Sequence, residues 1–107
     1  MPANAIVIIQ TTVASRRDAM RLAGLMVKAR LAACAQITPI HSTYRWKNKI
    51  EKSGEWLIAA KTRSTRAGEL MAFIRRHHTY ELPEIVALKV AQALPAYRQW
   101  VCRETMA

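Results

Sequence analysis

Apolar positions fall in short blocks along this chain, and the period within each block decides which element it predicts. Residues 5–10, AIVIIQ, are continuous and β-branched, the pattern of a strand buried on both faces. Ser15 and Asp18 are spaced as a capping box, a hydroxyl at a helix start with an acid three residues on. Ala19, Leu22, Ala23 and Met26 then share one helix face, with Arg17, Arg21 and Lys28 on the other side. The chain turns extended again from Cys34 to Ile37, and Pro39 predicts a bend or bulge in that second strand.

In STYRWKNKIEKSGEWLIAAKT, Tyr44 and Trp46 alternate with Arg45 and Lys47 at a two-residue period. Asn48, which tolerates positive φ, marks the tip of a hairpin. The return strand ends in the apolar run Trp56 to Ala60, and Ser53-Gly54 suggests a bulge or an irregular edge in that strand. From about Thr65, Ala67, Leu70, Met71 and Ile74 predict a second helix, with Arg75 and Arg76 in its last turn. Pro83 precedes an apolar strand from Glu84 to Val90. Pro95 opens a final helix on which Tyr97, Trp100 and Val101 share a face.

The order β-α-β-β-α-β with a terminal helix predicts an α+β, ferredoxin-like sandwich: an antiparallel sheet, two helices on one side, one sheet face uncovered. At 107 residues the chain supports a single domain, 1–107. An uncovered face beside an aromatic hairpin calls for a partner, and self-association is the simplest.

Composition narrows the function. Seventeen Lys and Arg face seven acids, a formal charge of +10, which favours anionic partners at long range. The aromatic pattern of RNA-recognition modules is absent, so nucleic acid is not the expected partner. The apolar run Ala5 to Ile9 is far too short to span a bilayer, and residues 1–4 carry no positive leader segment. The expected compartment is the cytoplasm, without membrane attachment. There Cys34 and Cys102 are expected to be buried thiols rather than a disulfide. No Gly-rich phosphate loop, H-x-x-x-H pair or Ser-His-Asp set stands out, so a binding protein is expected rather than an enzyme.

LAACAQITPI, TYRWKNKIEKSGEWLIAAKT and HHTYELPEIVAL together resemble the CutA family of divalent-cation tolerance proteins. The resemblance runs from the first strand to Tyr97 and Trp100. It implies a fold similar to the nitrogen-regulatory PII proteins and a homotrimer whose sheets pack round a threefold axis. It also implies a role in divalent-cation tolerance and copper response through direct binding, carried in some members by histidines matching His77 and His78. Gln10 stands where those members have a cysteine, which removes a soft thiolate ligand.

His77, His78 and Glu81 are accordingly the metal candidates, for Cu(II) or Zn(II). Adjacent histidines diverge by about 100° on a helix, so both reach one ion only if the backbone turns between them. The alternative is a PII-like sensor of a small anion. Its cleft would draw on Tyr44, Arg45, Trp46, Lys61, Tyr80 and Glu84, which combine cations, donors and aromatic faces.

Overall fold

The computed structural model describes residues 2 and 4–106; Met1 and Ala3, within the stretch read as lacking a leader, lie outside the described residues. β1 (Ile6–Val13) leads to α1 (Arg16–Lys28), then β2 (Cys34–Trp46) and β3 (Lys49–Arg63) form a long hairpin. A 3-10 turn, Ser64–Arg66, leads into α2 (Ala67–His77), followed by β4 (Ile85–Lys89) and α3 (Pro95–Glu104). The sheet order is β2-β3-β1-β4, and every neighbouring pair is antiparallel. This is the expected split β-α-β arrangement.

Alternation along β1 divides the core. Val7, Ile9 and Val13 pack with Ala19, Leu22 and Met26 of α1 and Leu70 and Ile74 of α2. Each such large side chain contributes about 1.5–3 kcal/mol on burial. Ile6, one step along the strand, instead joins Val101 and Cys102 of α3 on the opposite face. The terminal helix therefore covers part of the face that the topology leaves open. Val86 and Leu88, paired with Gln10 and Ile8, remain exposed on that same face.

α1 begins where the capping box placed it: Ser15 Oγ accepts from the Asp18 N–H at 3.0 Å. The Asp18 carboxylate turns to Arg21, at 2.8 Å.

Neither expected bulge forms. The β2–β3 ladder is unbroken from Cys34↔Lys61 to Trp46↔Lys49 and carries Pro39↔Trp56 and His41↔Gly54 in register. Pro39 is tolerated because β2 is an edge strand, where one side of the backbone has no ladder bond to lose. At the tip Lys47 and Asn48 both have positive φ, 50° and 66°, the geometry of a two-residue type I′ turn. β1 pairs with β3 only as far as Val13↔Trp56. Beyond that point the hairpin projects as a two-stranded ribbon, along a molecule whose long axis is 44 Å.

Candidate functional site

The connection 77–84 is placed by the end of α2. His77 is its last residue, and His78 is extended at φ −85°, ψ 145°, so the backbone does turn between the histidines. Their rings nevertheless go to different neighbours. His77 lies against Phe73, centroids 4.4 Å apart, while its carbonyl accepts from Arg21 Nη2 at 2.9 Å. That bond satisfies one of the carbonyls a helix C-terminus leaves unpaired.

His78 is held on both ring nitrogens. The Tyr80 N–H donates to Nδ1 at 3.1 Å, so Nδ1 carries the lone pair. Nε2 must then carry the proton, and it donates to the Thr12 carbonyl at 2.9 Å. β4 pairing stops at Thr11↔Ile85, and the histidine takes the next carbonyl of β1. Neither nitrogen of His78 is free to bind a metal ion in this arrangement. Among the described residues no three His, Cys, Asp or Glu side chains come together in a set that could hold one.

The residues do enclose a cleft. A space of about 570 Å³ opens between the hairpin and the 77–84 connection. Four of the sequence candidates for a ligand cleft line it, namely Tyr44, Trp46, Tyr80 and Glu84, together with Glu81 from the metal set. Arg45 and Lys61 do not. Arg45 alternates with Tyr44 and Trp46 on the strand and so faces the other way. Lys61 is six residues from the cleft along β3, about 20 Å at strand rise, and its ammonium donates to Gln36 Oε1.

Glu55 is the cleft residue that sequence reasoning passed over. It is 9% exposed and accepts from the Tyr80 hydroxyl at 2.7 Å. Burial, then this bond to a carboxylate, push the Tyr80 phenol well above its ordinary pKa, so it stays a donor. The available signal was an acid at the head of an apolar strand run, GEWLIAA. On the rim, Gln10 Nε2 donates to Glu84 Oε2 at 3.0 Å and so holds that carboxylate in place.

At the far end of the sheet Cys34 is half-buried rather than sealed, its sulfur 3.5 Å from the Tyr97 hydroxyl. Burial and that neighbour push the Tyr97 phenol up to about 12. Cys102 is buried, and both thiols are free.

The family model described as CutA1 divalent ion tolerance protein matches residues 7–104. The chain belongs to this family. CutA1-type relatives include Protein CutA of Mus musculus, 41% identical over 88% of this chain and 54% of its own length. The divalent-cation tolerance protein CutA of Archaeoglobus fulgidus is 33% identical over 87% of this chain and 91% of its own. The chain thus spans about half the length of the animal relative and nearly all of the archaeal one. Among solved structures, CutA from Synechococcus elongatus superposes with a TM-score of 0.92 at 33% identity, over 99% of this chain and 95% of its own.

Proposed function

We propose that this chain serves divalent-cation tolerance as a cytoplasmic homotrimer that meets Cu(II) or Zn(II) directly. Glu81, in the cleft, makes the contact; His77, which packs on Phe73 outside the cleft, and His78, held by Thr12 and Tyr80, join only if they leave those neighbours. The observation that carries the reading is the sign of the cleft. Glu55, Glu81 and Glu84 line it, and none of the chain's seventeen lysines and arginines does. A low-dielectric cleft lined by one sign of charge concentrates counter-ions even where the whole molecule repels them.

Imidazole and carboxylate suit both metals, and the usual divalent order favours Cu(II). Because no three-donor set closes among the described residues, water or a neighbouring subunit completes the coordination. Trimer formation is supported by the exposed Val86 and Leu88 on the sheet face that α3 leaves open. No helix among the described residues is long and apolar enough to cross a membrane.

Calorimetric titration of chelator-stripped protein, with light scattering for mass, tests the proposal. Saturable binding tighter for Cu(II) than Zn(II), weakened in Glu81→Gln, is the expected result, at three times the chain mass. Unchanged affinity in that variant overturns the direct-contact reading. A monomer mass at micromolar concentration overturns the trimer.

A further inference from the structure

The helical side of the molecule carries charge that the fold does not use. Val7 and Ile9 send their side chains to α1 and α2, whereas Val86 and Leu88 lie exposed on the opposite face of the sheet. The two helices therefore face away from the surface on which further copies pack in the proposed trimer. Together they contain six Lys or Arg and two acids. Both acids are already paired, Asp18 with Arg21 at 2.8 Å and Glu69 with Arg66 at 3.7 Å. Arg16, Arg17, Lys28, Arg75 and Arg76 are exposed, and none belongs to an ion pair among the described residues.

Arg75 and Arg76 complement the negative end of α2, but Arg16 and Arg17 stand in the first turn of α1, where the helix dipole disfavours cations. Helix stability does not account for that pair. The Arg21 guanidinium donates to the His77 carbonyl at 2.9 Å, which brings the start of α1 beside the end of α2. The two arginine pairs thus gather at one end of the helical layer. From there Arg17, Arg21, Gly24 and Lys28 continue along one stripe of α1, about 16 Å from first to last at helical rise. Gly24 is exposed and leaves the middle of the stripe open to close approach. Arg76 rests over Phe73, 5.7 Å from the ring centroid, which steadies its guanidinium at the surface.

A row of this kind matches closely spaced phosphates, which arginine binds bidentately. A nucleic-acid duplex presents one about every 3.4 Å along each strand. A lipid surface fits less well. The apolar side of α1, Ala19, Leu22, Ala23 and Met26, is buried in the core, and only Met20 and Val27 are large, apolar and exposed on the two helices. An acidic protein would find no exposed aromatic anchor here, since Phe73 is half-buried beneath Arg76. The sheet-face aromatics missing from this chain serve to read bases, which phosphate contacts do not require.

We propose that the outer face of α1 and α2 is a sequence-independent binding surface for a nucleic-acid duplex, whose phosphates pair with Arg16, Arg17, Lys28, Arg75 and Arg76. It shares no residue with the metal reading and stands or falls without it.

The test is fluorescence anisotropy of the whole chain with labelled duplex DNA and duplex RNA of about 20 base pairs, from about 30 to 200 mM KCl. The logarithm of the affinity falls linearly with that of the salt concentration, at a slope of about −3 to −5, and shuffling the sequence changes nothing. The tighter of the two duplexes identifies the source of the phosphates. Each lost contact flattens the slope by about 0.9 and weakens binding about eightfold near 0.1 M salt. Arg17→Gln/Lys28→Gln/Arg75→Gln in one chain therefore weakens binding about a hundredfold or more. Lys47→Gln/Lys49→Gln/Lys52→Gln removes the same charge from the hairpin and changes affinity by less than about threefold, because salt screens distant charges. Circular dichroism confirms that both variants remain folded.

A wild-type slope shallower than about −3 overturns the proposal. So does a hairpin variant that loses as much affinity as the helical one, which would reduce the effect to net charge. Polyglutamate that displaces the duplex at equal charge concentration would assign the face to an acidic protein. Binding to phosphatidylserine vesicles but to neither duplex would assign it to a membrane, and either result also overturns the proposal.

Discussion

The Tyr80 hydroxyl donates to the Glu55 carboxylate across 2.7 Å, tying the connection after α2 to the hairpin strand β3. Tyr80→Phe keeps the ring and removes only the donor. A buried acceptor left unsatisfied costs about 1–3 kcal/mol, so the variant should unfold at lower urea concentration with an unchanged slope. A midpoint equal to wild type would show that water replaces the phenol at no cost.

His78 is bonded on both nitrogens to backbone groups, whereas His77 contributes mainly a ring contact with Phe73. His78→Ala should therefore destabilise the fold by about 1–3 kcal/mol through the Thr12 carbonyl and Tyr80 N–H it leaves unpaired. His77→Ala should cost clearly less. Equal urea midpoints for the two variants would contradict that ranking.

Tyr97 gives stability an alkaline limit. Its phenol is raised from 10.0 to about 12 by burial and by Cys34. The folded state thus holds this proton more tightly than the unfolded chain. The associated stabilisation is complete below pH about 10 and is lost as pH rises toward about 12. Tyr97→Phe should flatten that part of the profile in urea melts taken across the window. A profile as steep as wild type would assign the alkaline loss to other groups.

The hairpin tip depends on left-handed backbone at Lys47 and Asn48. Asn48→Val places a β-branched residue at φ 66° and should cost about 1–2 kcal/mol. Asn48→Gly should be neutral or stabilising. Thermal melts of the two variants check the ordering, and a valine variant as stable as the glycine one would refute it.

The elements were legible because their periods are local. The capping serine, the stripe Ala19-Leu22-Ala23-Met26 and the alternation around Trp46 each depend on neighbours within a few residues. Two expectations failed where sheet position decides: Pro39 and Ser53-Gly54 looked like interruptions, but an edge strand accepts a proline and the ladder takes the glycine in register. The split of Arg45 from Tyr44 and Trp46 was already present in the two-residue period.

The site was only partly legible, since its contacts join residues far apart in the chain. Glu55 meets Tyr80 across 25 positions, and His78 meets Thr12 across 66. A sequence shows that two histidines are adjacent, but not that the second is already committed to a β1 carbonyl. It also shows the overall positive charge, but not that a cleft collects three of the seven acids.

The projecting ribbon has a kinetic consequence. Outward of Val13↔Trp56 each strand has one neighbour only, and an isolated two-stranded hairpin is marginally stable in water. In a lone subunit, amide protons near Ile50 should therefore exchange with deuterated solvent far faster than those near Ile58. Any subunit that grips the ribbon would slow the outer amides and leave the inner ones unchanged. The exchange gradient along β3 would then register assembly residue by residue, without a measurement of mass.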